Sequence, residues 1–113
     1  MAYSKDGLFK SSEEFFELNG SVGMRLSAEA AQKVCEKALE HGLLVVRVEG
    51  GIWHNLGFEA RLDCLWDGPV PPVPLAEAKS INQGASDFIL EEKERGHDVF
   101  IITTMPISRR NDP

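Results

Sequence analysis

Gly50-Gly51-Ile52-Trp53-His54-Asn55-Leu56-Gly57-Phe58 sets a tryptophan among three glycines and an asparagine, between two apolar runs. Leu43 to Glu49 and Phe58 to Trp66 alternate in the manner of strands. The glycine-rich stretch is therefore expected to be the turn that joins them, with positive backbone dihedrals that side-chained residues resist. A large aromatic on such a connection either lids the core or anchors a partner.

In the first run Leu44, Val46 and Val48 alternate with Val45, Arg47 and Glu49, giving one strongly apolar face. In the second, Phe58, Ala60, Leu62, Cys64 and Trp66 share one face and Glu59, Arg61 and Asp63 the other, the pattern of a strand half buried and half wet. Asp67 to Pro74 carries four prolines, which fix their own backbone and remove donors, so it reads as a stiff surface connection.

Helices flank this pair. Ser11 followed by Glu14 suggests a capping box that opens a short helix through Phe15, Phe16 and Leu18, stopped by Asn19-Gly20. Ser27 is the next N-cap candidate. Ala30, Ala31, Val34, Cys35, Ala38 and Leu39 then recur at helical spacing until Gly42 closes the element. Ala78, Ile81, Ala85, Phe88 and Ile89 line a further helix that ends near Gly96, with Gly84 weakening its middle. Val99 to Thr104 is apolar on both faces, as a central strand is. The expected fold is α+β: a small, mainly antiparallel sheet with two main helices packed on it, plus an N-terminal helical segment.

Composition bounds the function. The chain of 113 residues is one domain, and 42% hydrophobic with 27% charged residues is the balance of a folded protein. No stretch is apolar over the length needed to span a membrane, and none reads as a signal peptide, so a cytoplasmic setting is expected. A net charge of -6 argues against direct nucleic-acid binding, which needs clustered Lys and Arg, and fits a basic partner better. Cys35 and Cys64 lack the paired spacing of a metal site and are too few for a disulfide framework.

Catalytic machinery would have to come from Cys35, Cys64, His41, His54 and His97. Both cysteines fall on apolar faces, where a thiol packs as a small hydrophobe. His41 and His97 sit at helix C-termini, where a cation suits the dipole. His54 has no second histidine at ligand spacing, so no metal site and no cofactor are expected. Asp63 and Asp67 flank Trp66 without the enclosed setting that drives two carboxyl pKa values apart. A thiol or histidine enzyme is thus one alternative reading. An acidic interaction module that uses Phe15 and Phe16 against some other basic protein is another.

From Met24 onward the chain resembles the immunity proteins that protect bacteria from colicin E-five, a tRNA anticodon ribonuclease. The likeness lies in several blocks: Met24, Leu26, Ser27, Ala30, Ala31, Val34 and Cys35; Gly42-Leu43; Gly50-Gly51, Trp53, Asn55 and Gly57-Phe58; then Trp66, Asn82, Ala85, Ile89, Gly96 and Phe100 to Thr103. The spacing needs no gap from Met24 to Thr103. The resemblance divides the chain into an N-terminal extension (1–23), an immunity-protein-like domain (24–107) and a polar tail (108–113). It implies a non-catalytic inhibitor that occupies the RNA site of a cognate ribonuclease toxin, delivered as a bacteriocin or by contact-dependent inhibition. Carboxylates would stand in for phosphates and aromatics for stacked bases.

On this reading Glu49, Trp53, Asn55, Glu59, Asp63, Trp66 and Asp67 form the toxin-binding surface, while Gly50, Gly51 and Gly57 shape the turn. Leu56 stands where the family has proline, Ile52 where it has histidine, and the proline-rich loop replaces a more charged one. Such differences at an interface suit a related but distinct toxin.

Overall fold

A computed structural model describes residues 8–18, 24–54 and 57–107, with only the backbone described at 53–54 and 57–63. The elements in chain order are α1 (Ser12–Glu17), β1 (Leu26–Ser27), α2 (Ala28–Lys37) continued by a 3-10 turn (Ala38–His41), β2 (Leu43–His54), β3 (Gly57–Asp67), α3 (Leu75–Glu94) and β4 (Val99–Pro106). The four strands form one antiparallel sheet in the order β1-β4-β2-β3, so the fold is α+β as expected.

The caps fall where the sequence places them. Ser11 Oγ accepts from Glu13 N–H at 3.2 Å, and Ser27 Oγ accepts from Ala30 N–H at 3.2 Å. Each satisfies a donor that the first helical turn leaves unpaired. Gly42 adopts φ 70°, the left-handed conformation, and its N–H returns to Leu39 O at 2.9 Å to end the 3-10 turn.

Helices α2 and α3 pack on one face of the sheet. Ala31, Val34 and Cys35 of α2 meet Ala85 and Ile89 of α3 over Leu26, Val48 and Phe100, all fully or almost fully buried. Each such side chain of Val, Leu, Ile or Phe contributes about 1.5–3 kcal/mol by leaving water. Phe15 of α1 joins the same core, Phe9 bridges to Leu26 in parallel, and the Phe16 ring stacks on His41 at 3.8 Å. Residues 9–16 of the N-terminal extension are therefore built into the fold.

Asn82 ties α3 to the sheet. Its Oδ1 accepts from Val45 N–H at 2.8 Å and its Nδ2 donates to Leu43 O at 3.1 Å. Beside these bonds β2 slips register against β4 between Val45 and Arg47. A bulge of this kind removes backbone partners, and a buried amide supplies them.

The glycine stretch corrects the sequence reading. β2 runs unbroken through Gly50 and Gly51 to His54, which pairs with Gly57, so both glycines lie within the strand rather than in the turn. Neither Gly50 nor Gly51 has positive φ. Gly50 is needed for lack of a side chain: a Cβ there would collide with Cys64 Sγ and lie 2.8 Å from Phe100 Cε1. At the same point β3 takes five steps, Ala60 to Leu65, against two on β2, Gly51 to Glu49. That shift breaks the simple alternation read from Phe58 to Trp66.

β4 is central, between β1 and β2, as its apolar composition implies. Its outward side is nonetheless partly open, with Ile101 half-buried and Thr103 exposed.

Candidate functional site

The face of the sheet turned away from the helices carries two rows across three strands. Asp67, Arg47 and Thr103 are in register in the first, and Leu65, Glu49 and Ile101 in the second. Leu65 and Thr103 are exposed. Arg47 stands between two carboxylates, its Nε 3.8 Å from Asp67 Oδ1 and 3.9 Å from Glu49 Oε2. The three side chains are 46%, 45% and 60% exposed for Arg47, Glu49 and Asp67. Contacts this long and this wet hold each pair by roughly 0–1 kcal/mol, so both carboxylates are free to exchange Arg47 for an incoming cation.

The structure brings together some of the residues expected at the interface. Glu49 and Asp67 share this open face. Trp53 and Glu59 lie on the hairpin that extends the same two strands, where Trp53 pairs with Phe58 and Ile52 with Glu59, and Asp63 lies in the segment where β3 changes register. The side chains of Trp53, Glu59 and Asp63, and Asn55 altogether, lie outside the described residues. Gly57 begins β3.

Trp66 belongs elsewhere. It pairs with Val48, packs half-buried against the core, and its ring lies over Gly68 and Gly84. It therefore faces α3, opposite to Glu49 and Asp67. Grouping it with the wet residues is corrected by strand alternation between Leu65 and Asp67, and a side chain at Gly84 of α3 would come into van der Waals contact with the edge of its ring. Arg47 was the missed member of the constellation. The signal was present, because residues two apart on a strand share a face and Arg47 precedes Glu49 by two.

Of the groups that an enzyme would need, the side chain of His54 lies outside the described residues, and the described ones are buried or held against neighbours. Burial in the core, with Glu36 nearby, pushes the Cys35 thiol up to about 12, against a partial opposing effect of its backbone hydrogen bond. A thiol so protonated is a poor nucleophile. Cys64 is also buried, and His41 is stacked on Phe16. His97, just past α3, places Nδ1 3.0 Å from Glu92 Oε1. No helix of the described residues is long and apolar enough to cross a membrane.

Comparison with known proteins gives this surface its context. Residues 24–105 match the family described as "Colicin-E5 Imm protein". The chain is 54% identical over 100 residues to the immunity protein CdiI of Burkholderia pseudomallei, an overlap of 88% of this chain and 91% of that one. It is 34% identical over 80 residues to the colicin-E5 immunity protein of Escherichia coli, covering 71% of this chain and 96% of the other, and equally so to the colicin-E5 immunity protein in ColE9. Matched along three quarters of its length, with an open acidic sheet face and no activated nucleophile among its described residues, the chain belongs to the colicin-E5 immunity protein family.

Proposed function

We propose that this chain acts in the cytoplasm as the immunity protein of a contact-dependent inhibition system, binding and neutralising the ribonuclease domain of a cognate toxin that cuts tRNA at the anticodon. The observation that carries this reading is the 54% identity to CdiI over nearly the whole of both chains. The chemistry agrees with it. A ribonuclease attracts RNA with Lys and Arg, and an inhibitor of net charge -6 with half-exposed carboxylates on a helix-free sheet face offers those cations an alternative to phosphate. Glu49 and Asp67 supply charge on the sheet. Trp53, Asn55, Glu59 and Asp63 on and beside the hairpin extend the contact, with Trp53 as the aromatic anchor. Trp66 serves by holding β3 against α3.

Inhibition is by occupancy and consumes nothing, so protection is stoichiometric. The test is cleavage of tRNA by the toxin domain encoded beside this gene, with increasing amounts of the protein and at two salt concentrations. Full protection at one equivalent, weakening as salt rises, is expected; anticodon loops cut at an undiminished rate under excess protein would refute the proposal.

A further inference from the structure

Away from the open face, three metal-ligating side chains of different type converge between the hairpin and the end of α3. Cys64 of β3 is buried, Glu92 lies in the last turn of α3, and His97 follows the turn at Gly96. One donor atom from each lies within 4.8 Å of the others. The setting is enclosed, with the Glu92 and His97 side chains 7% and 13% exposed. The backbone holds it firmly: His97 N–H donates to Glu92 O at 3.0 Å, and Asp98 N–H donates to Gly51 O on β2 at 3.0 Å.

A buried histidine beside a carboxylate normally points an N–H at an oxygen. Here Nδ1 is 3.0 Å from Glu92 Oε1, yet it is enclosed and makes no aligned hydrogen bond. An orphaned buried nitrogen is costly unless something else occupies its lone pair. A sulfur, an imidazole nitrogen and a carboxylate oxygen together are a donor set of borderline softness, suited to zinc and its neighbours and ill suited to calcium or magnesium.

We propose that Cys64, Glu92 and His97 bind a divalent transition metal ion of the zinc class. Bonds of about 2.0–2.3 Å at tetrahedral angles put donors roughly 3.3–3.8 Å apart, so His97 Nδ1 and Glu92 Oε1, now 3.0 Å apart, open slightly while Cys64 Sγ draws in from within 4.8 Å, shifts within reach of side-chain rotation. Arg95 Nη1, 3.4 Å from Glu92 Oε2, stays on the oxygen that does not ligate and steadies the carboxylate. A fourth, solvent ligand would complete the tetrahedron. Binding expels the thiol proton to solvent and leaves a thiolate on the metal, so affinity rises with pH. The ion links β3, at the point where it slips register, to the end of α3. It is independent of the toxin surface.

Cobalt(II) titration of the full chain tests this, because only a thiolate on the metal gives an intense near-ultraviolet charge-transfer band. The Cys35→Ala protein is titrated in parallel, leaving Cys64 as its one thiol. Expected is a band saturating at one equivalent in both proteins, displaced by zinc and lost in Cys64→Ser and His97→Gln, with a rise in Tm of the wild type on adding zinc alone. No band in the wild-type protein, or a band that disappears with Cys35 and survives in Cys64→Ser, overturns the proposal. The wild-type and Cys35→Ala titrations decide it even if the other two variants fail to fold.

Discussion

Gly50→Ala isolates the reason for a glycine in the middle of β2. The new methyl would meet Cys64 Sγ and the Phe100 ring, the latter at 2.8 Å, and both walls are fully buried, so neither side chain can swing into solvent. Phe100 lies on the central strand β4, which β1 and β2 hold from both sides. Overpacking in a well-filled core costs about 1–3 kcal/mol, and two immobile walls put this site in the upper half, about 2–3 kcal/mol. For a domain of this size that lowers Tm by about 8–12 °C. Urea denaturation followed by circular dichroism reads the free energy, and a thermal scan reads Tm. A second substitution separates this explanation from a turn that needs positive φ. Cys64→Ala removes one wall, so the double variant should recover about 1 kcal/mol relative to the sum of the single changes. A penalty arising from the backbone would be indifferent to Cys64. A cost for Gly50→Ala below about 0.5 kcal/mol, or strict additivity with Cys64→Ala, refutes the packing argument.

Other perturbations bear on the interface and the core. Glu49→Gln and Asp67→Asn should each slow association with the toxin several-fold at low salt and little at high salt, read by stopped-flow binding, while stability stays within about 0.5 kcal/mol. Trp53→Ala should weaken toxin binding by about 2 kcal/mol or more in a calorimetric titration without loss of fold; an unchanged Kd would remove it from the interface. Asn82→Ala strips the partner from the buried Val45 N–H and should destabilise the protein by about 2–3 kcal/mol in chemical denaturation. The Cys35 thiol ionises near pH 9.0 when unfolded and near 12 when folded, so the folded state holds the extra proton between those values. Its contribution is complete below pH 9.0 and declines as pH rises towards 12, with a slope of up to about 1.4 kcal/mol per pH unit that Cys35→Ala should abolish.

Local chemistry was readable from residue order, and long-range packing was not. Ser11, Ser27 and Gly42 announce helix ends because a cap needs only its own neighbours in sequence. The two main helices and the central place of β4 follow from apolar periodicity, which is also local. Gly50 misled because one residue type serves two purposes, freedom at positive φ and the absence of a Cβ. Only Cys64 and Phe100, distant in sequence, show which purpose applies. Alternation along β3 failed for a related reason: a register shift between Ala60 and Leu65 resets which residues share a face, and no single strand records its partner's slip. Glu49 and Asp67 lie beyond the shift, next to regular pairing with β2, and there the sequence reading of a wet face holds. Cys64 and His97 are visible in the sequence only as single candidates, because their convergence with Glu92 depends on the hairpin folding back onto α3.

The strand order has a consequence for when the protein becomes functional. β4 is the last of the described strands but sits second in the sheet, and β1 pairs with β4 and not with β2. Before β4 is made, the sheet therefore lacks the strand that joins β1 to the hairpin. Leu26 waits for Phe100 to close the gap. Long-range pairing of this kind is slow to form and leaves apolar surface uncovered until β4 has been made. The open face is thus incomplete until β4 brings Ile101 and Thr103 into register with Glu49 and Arg47.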